Sequence, residues 1–485
     1  MRKFTAARKK IPKGLLWLTA TVFVLTAMPR LSIKFGPLPL YAIDLLIIIT
    51  LFYSLKMKAV YSGKRPFSGF IILIIFFAIL GEIAAMSYSG QLFAPIYLLI
   101  RTFLAVSLFY SASKILRSRN DLLLVFKAAS LGIGITVMLM IMTSLPFTRG
   151  LVVSSIFSIS YLEPSFVFTA KRYSMEAFQD VGVRGKSLIG VSILSGAFIN
   201  VMWPFISLLI RWPWNLGFWR KIAIVVCILS PIAVVMSYSR GAILGMFLVI
   251  GGTLFFGSSR NRQGIIVAVL MSVTIFSFVG WDSDVFFFER IENRYTAMID
   301  NPFEDERESE RILSYVEPFE HMVENPHFII VGEGTSITKT GVISEQSGKA
   351  THSVFSKAYY SYGMVASFIY MFLIVRGFSF TRRQIRIRKR LGDISSLYAQ
   401  GLFAALLGIL PWLVFGHAAV STPRGAMMFF LLFGMIASLK NFPVTGNTPK
   451  VRIKSNVGAS PQRNSLSESL NISRRGVIPA SHPEK

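Results

Sequence analysis

Apolar residues in this chain gather in long unbroken runs separated by short polar intervals. They do not show the alternation or the narrow stripe of a soluble fold. Five runs come first: Leu15–Met28, Leu38–Leu55, Phe67–Met86, Phe93–Ala112 and Leu122–Leu145. The series resumes at Ser187–Ile210, Phe218–Met236, Gly241–Phe256 and Gly264–Gly280, and closes with Ser353–Val375, Gly401–Phe415 and Ala426–Leu439. Most approach the roughly 20 residues that carry a helix across a ~30 Å hydrocarbon core; the first is short by that measure. The pattern predicts an all-α polytopic membrane protein of about twelve transmembrane helices.

Two polar intervals stand out. Residues 146–186 contain an apolar piece broken at Glu163-Pro164, read as a loop with an interfacial segment. The stretch Trp281–His352 is the longest polar interval and holds His321, His327 and His352 with many acidic residues. Within it Ile312, Val316, Phe319 and Val323 recur at helical spacing, which predicts an amphipathic helix ended by Asn325-Pro326.

Composition agrees with the run pattern. The chain is 53% hydrophobic and only 15% charged, with mean hydropathy +0.57, which excludes a soluble chain of this length. Its net charge of +27 would suggest nucleic acid in a soluble protein. Here the basic residues sit in short clusters between apolar runs, so no nucleic-acid partner is expected. Clusters follow the second, fourth, sixth, eighth, tenth and twelfth runs, and another precedes the first. That alternation puts both termini in the cytoplasm and loops 146–186 and 281–352 outside it. The transmembrane domain is thus expected to be 1–440. Residues 441–485, rich in Ser, Asn, Pro and basic residues, read as a disordered basic cytoplasmic tail. The N-terminal run lacks a small-x-small cleavage site and is read as an uncleaved span. Cys227 lies inside an apolar run, so neither a disulfide framework nor a Cys-rich metal site is expected.

Candidate chemistry lies on the outward side, where Arg runs against the charge bias. Arg240, in SYSRGAIL, either offers a planar fork to a phosphate or snorkels to lipid headgroups. Arg311 sits in the first turn of the amphipathic helix beside Glu308 and Glu310, where a surface ion pair is the plain alternative. Arg184, in GVRGKSLIG, reads first as a loop residue. His352 precedes the tenth run, where an imidazole titrates near neutrality and can act as a base; the plain alternative is an interfacial His with no role. His321 and His327 are read as solvated, and His417 with Arg424 as a weaker candidate. Asp44, Glu82 and Arg101 fall inside apolar runs, roughly 9, 6 and 12 Å below the outer ends of their spans at about 1.5 Å per residue. Arg101 is therefore expected to pair with Asp44 or Glu82, either as a structural pair or beneath a catalytic cavity.

Taken in order, these segments resemble the O-antigen ligase and polymerase superfamily of bacterial membrane enzymes. SYSRGAIL resembles the family's Ser-Arg-Gly turn. Arg311 to Tyr315, followed by ENPHFIIVGEGTS, resembles its Arg-aromatic helix, proline break and Gly-x-Gly turn. THSVFSKAYYSYGMV resembles the His-led start of the following span. The chain departs from the family in carrying His352-Ser353 where His-Asn is common, and in lacking Arg-x10-Gly repeats. The resemblance implies a glycosyltransferase of the bacterial inner membrane. Its donor would be a glycan linked to undecaprenyl diphosphate, and its acceptor a second glycan or a lipid core. It implies diphosphate binding by Arg240, Arg311 and Arg184, a catalytic His352, and no metal or cofactor. Ligase and polymerase remain open, and a twelve-span polysaccharide transporter or flippase is the alternative from another class.

Overall fold

The computed structural model of this chain describes residues 11–28, 32–35, 38–58, 65–90, 92–145, 148, 151–152, 187–189, 192–212, 216–237, 239–256, 259–282, 316, 320, 323–334, 353–391, 393, 395–415 and 422–442. By contacts, Met1–Gly446 forms one compact unit and Asn447–Lys485 a second. The expected tail lies outside the described residues except for Asn441 and Phe442, which are ordered at the end of the last helix.

The described residues are nearly all helical. In chain order the helices are α1 (Lys13–Ala27), α2 (Ala42–Lys56), α3 (Ser68–Ser89), α4 (Phe93–Ile115) and α5 (Arg119–Ser144). Next come α6 (Ser192–Ile210), α7 (Phe218–Met236), α8 (Arg240–Phe256), α9 (Ser259–Asp282) and the single turn α10 (Phe328–Val331). The last are α11 (Val354–Arg390), α12 (Ser395–Phe415) and α13 (Pro423–Ser438). Among the described residues, seven helices are long and apolar enough to cross a membrane: α3, α4, α5, α7, α11, α12 and α13. The protein is a multi-pass α-helical membrane protein on that ground. Apolar side chains exposed around the bundle, such as Phe76 on α3, Phe247 on α8 and Phe372 on α11, suit contact with lipid.

Two expected boundaries are corrected. The second apolar run was expected to be helical from Leu38, but α2 begins at Ala42. An antiparallel hairpin of β1 (Ser32–Phe35) and β2 (Leu38–Tyr41) precedes it, with Ser32 opposite Tyr41 and Phe35 opposite Leu38. Gly36-Pro37 favours a turn there, and Pro39 disfavours a helix interior. This hairpin qualifies the all-α expectation. The tenth span was expected to end at Val375, yet α11 continues to Arg390. Its basic extension stays helical because Thr381, Ile385 and Arg388 bury one face while the other Arg and Lys face outward.

Caps fix several helix starts. Ser118 accepts from the Asp121 amide while Asp121 caps the Ser118 amide, a reciprocal pair at the start of α5. Thr422 caps α13, with Pro423 at its first position. Packing between helices runs through small residues, as expected in lipid, where close backbone approach replaces hydrophobic drive. Gly132 of α5 lies against Thr26 of α1, and Gly434 of α13 against Phe109 and Ala112 of α4. Gly245 of α8 meets Asn200 of α6 and the Gly408 carbonyl of α12. Helix α13 is buried on almost every side and forms the centre of the bundle.

One set of helix ends is tied by charge. The Arg388 guanidinium donates to Asp393 at 3.1 Å, to Ser395 Oγ at 2.5 Å, and to the carbonyls of Leu439 at 2.6 Å and Phe442 at 3.2 Å. Arg119 donates to Asp393 at 2.9 Å. Asn441 donates to the carbonyls of Ser113 and Leu116. This network joins the end of α4, the start of α5, the α11–α12 connection and the end of α13. Burial alone would raise the Asp393 carboxyl. The hydrogen bonds from Ser395 and the charges of Arg388 and Arg119 outweigh burial and hold it below the usual carboxylate range.

Candidate functional site

At the opposite ends of the helices lies a second charged cluster. Asp44 caps the start of α2, with the Tyr41 amide donating to Asp44 Oδ2 at 2.9 Å. Asp44 thus sits in the first turn, not about 9 Å below the end of a span, because the hairpin takes the residues before Ala42. Arg101, in the third turn of α4, donates from Nη1 to Asp44 Oδ1 at 2.6 Å and from Nη2 to the Tyr97 hydroxyl at 2.7 Å. Its guanidinium also lies 4.2 Å from the centre of the Tyr41 ring. Both charges are buried. Each carboxylate oxygen of Asp44 and each terminal nitrogen of Arg101 therefore has a partner. That is the condition under which a buried pair holds.

Arg424, near the start of α13, lies within electrostatic reach of Asp44. It is buried and donates to the carbonyls of Met28 at 2.8 Å and Ile189 at 3.2 Å. It ties the end of α1 to the segment before α6. In sequence Arg424 is a weaker candidate beside His417, which lies outside the described residues.

Arg240 opens α8 and is partly exposed. Before it, Ser237 and Ser239 are buried, and the Ser239 amide donates to Ser237 Oγ at 3.2 Å. Gly196 of α6 packs against Ala242 and Ser237, so the turn rests on the first part of α6. On α6, Asn200 donates to the Ala242 carbonyl at 2.7 Å and fixes the first turn of α8. Arg240 is thereby held on a capped helix start, where the Ala242 amide donates to Ser239 Oγ at 3.3 Å and the helix dipole favours an anion.

A third feature escaped the sequence reading as a unit. Four glycines bring α3, α10 and α11 into backbone contact. Gly363 has φ +85 and breaks α11 between Tyr362 and Met364. The break leaves carbonyls without helical partners. The Glu333 amide donates to Tyr360 O at 2.9 Å, and the Gly334 amide to Ser361 O at 2.9 Å. Gly332 (φ +71) and Gly334 (φ +78) lie against Ser361 and against Gly81 of α3 respectively. A Cβ at Gly81, Gly332, Gly334 or Gly363 would overlap backbone or a neighbouring methyl. This seat buries Glu333, Lys357 and Tyr360, with Glu82 beside Gly81 on α3. Tyr360 is within electrostatic reach of Glu333, and Lys357 Nζ lies 5.7 Å from the Tyr360 ring centre. The Gly-x-Gly turn was visible in sequence; its docking on Gly363 and Gly81 was not.

The structure thus brings Asp44 and Arg101 together and sets Arg240 on the start of α8. Arg184, Arg311 and His352 lie outside the described residues, as does His321. His327 is exposed, its ring centre 4.0 Å from that of Phe328 with the planes tilted by 48°. Ser353, next to His352, is buried and caps α11 by accepting from the Ser356 amide at 2.9 Å. No cluster of three His, Cys, Asp or Glu suited to a metal occurs among the described residues. The chain matches no family model, and no curated protein matches it.

Proposed function

We propose that this protein is a membrane glycosyltransferase of the O-antigen ligase and polymerase type. It would act on a glycan carried by undecaprenyl diphosphate at the outer face of a bacterial inner membrane. The observation that carries the reading is the glycine seat. It fastens the Gly332–Gly334 turn to the first part of α11, and the capped start of that helix adjoins His352. Two motif segments, the Gly332–Gly334 turn and the span that follows His352, are thereby held against each other, which supports a built site.

In this reading about twelve spans cross the membrane, with both termini in the cytoplasm. Two groupings of helix ends support it. The Arg388–Asp393 network joins ends that the charge pattern makes cytoplasmic. Asp44, Arg101 and Arg424 join ends that it makes external.

The chemistry follows. An acceptor hydroxyl attacks the anomeric carbon as the bond from that carbon to the diphosphate oxygen breaks. His352 takes the hydroxyl proton, and the lipid diphosphate leaves with the bonding pair. Charge grows on that leaving group, and Arg240 and Arg311 are suited to stabilise it. Attack from the face opposite the leaving group inverts the centre.

A twelve-span transporter or flippase is the second reading, favoured by the buried Asp44–Arg101 pair and by Glu82. One experiment separates them. The host lacking this protein is complemented with wild type, Arg240→Ala, Arg311→Ala or His352→Ala at matched membrane levels, and surface glycan and lipid-linked glycan are resolved on gels. Short lipid-linked units left behind indicate a polymerase, and full-length polymer stranded on its carrier a ligase. Wild-type behaviour of all three variants sinks the transferase reading.

A further inference from the structure

A cavity of about 340 Å³ lies where the start of α3 meets the second half of α11. One wall is Arg376, Ser379 and Arg383, spaced along a single face of α11 and all exposed. Pro66 and Phe67, just before α3, and Phe70 of α3 line the other wall, with Phe380 alongside. We propose that this cavity binds an anionic glycerophospholipid. The phosphate would sit between the two guanidiniums, and an acyl chain would run along the phenylalanines.

Three observations carry the proposal. First, the positive charge is uncompensated. From Val354 to Leu391 the chain has no Asp or Glu. Among the described residues Arg376 and Arg383 have no ion-pair partner, whereas Arg388 on the same helix is fully engaged by Asp393. Second, the level is that of headgroups. The apolar run of α11 ends at Val375, and basic side chains recur from Arg376 onward, as at the end of a span. Arg376 therefore emerges where phosphates lie. Ser379 and Arg383 follow one and two turns later, so a single phosphate can be met by guanidinium, hydroxyl and guanidinium. Third, the apolar wall is built at a cost. Phe67 is the non-glycine residue with positive φ (+69) among the described residues, a conformation that side chains disfavour. Its ring is held at 5.5 Å from Phe380 and 5.6 Å from Phe433. With the backbone so turned at the start of α3, Phe67 and Phe70 line the same cavity as the arginines. A basic stretch that merely marked the cytoplasmic side would need neither the cavity nor the strained wall.

The proposal stands apart from the glycan-transfer reading, since no residue in it belongs to that site. Full-length protein in detergent is titrated with phosphatidylglycerol or phosphatidylcholine, and bound lipid is read by native mass spectrometry. Wild type is expected to retain phosphatidylglycerol over phosphatidylcholine. Arg376→Gln with Arg383→Gln is expected to lower occupancy about five- to tenfold. The control pair Arg386→Gln with Arg390→Gln, on the same helix outside the cavity, is expected to leave it near wild type. Ser379→Glu, at an exposed position, should repeat the loss by placing a carboxylate between the guanidiniums. Equal loss in the control pair would mean diffuse surface charge and overturn the site. So would indifference between the two lipids, or displacement of the lipid by millimolar inorganic phosphate.

Discussion

Arg101 of α4 reaches Asp44 in the first turn of α2 at 2.6 Å, and both side chains are buried. The two residues are 57 positions apart. The pair closes the end of α2 against α4, and the second Asp44 oxygen caps the helix that carries it. One carboxylate thus serves a helix start and a helix–helix joint together.

Breaking this pair on one side should be costly. Arg101→Met leaves a buried carboxylate and should destabilise by about 3–5 kcal/mol. Asp44→Asn keeps the cap geometry but removes the charge, and should also destabilise. The double variant should lose less than the sum of the singles, because neither charge is then stranded. Thermal unfolding in detergent, followed by fluorescence-detected size exclusion, reads all three. Strict additivity would mean that the two charges do not act on each other.

The glycine seat predicts position-specific intolerance. Gly332→Ala and Gly363→Ala each force a side chain into positive φ, at roughly 1–2 kcal/mol, and into backbone of the opposing element. Both variants should fold less well, and the link between α10 and α11 should become more open to protease. Gly69→Ala and Gly251→Ala, where nothing lies within 4 Å of the added methyl, should behave like wild type.

Acid should loosen the Arg388–Asp393 network. The folded Asp393 carboxyl is held below its usual range, so the unfolded chain binds the proton more readily. The stabilisation is fully present above the ordinary carboxylate pKa of about 3.9 and is lost as pH falls through the depressed folded value. Asp393→Asn should lower thermal stability near neutrality and flatten its dependence at the acid end. A variant that kept the wild-type acid profile would assign that profile to other groups.

Arg240 is set on the first turn of α8 and is partly exposed. Arg240→Ala is compared with wild type at matched membrane levels, so that folding and output are scored separately. Under the proposed transfer chemistry it should cut glycan output roughly 10²- to 10³-fold, as loss of one donor to a developing charge does elsewhere. Arg240→Lys should restore part of that output, because the charge returns without the planar fork.

Much of the helical framework could be read from the run pattern, since a helix lies under every expected span. Hydropathy averages over a window, so it missed the places where backbone chemistry interrupts a run. The Ser32–Tyr41 hairpin and the break at Gly363 are such places. It also stopped at Val375, because the basic residues of α11 mask a buried face that recurs at Thr381, Ile385 and Arg388. Of the candidate site, Arg240 and the Gly-x-Gly turn stood out locally, as an Arg against the charge bias and as two glycines after an apolar turn.

By itself the sequence determined that this is a helical, multi-pass membrane protein. Apolar content and run length are summed along the chain and need no knowledge of neighbours. It also showed that Asp44, Glu82 and Arg101 needed partners, because a lone charge in an apolar run is costly wherever it lies. Only the tertiary structure decided that Arg101 meets Asp44, that Arg424 serves three backbone carbonyls, and that Gly81, Gly332, Gly334 and Gly363 form one seat. Those are contacts between residues tens to hundreds of positions apart. They depend on which helix faces touch and at what height, and no local pattern along the chain encodes that.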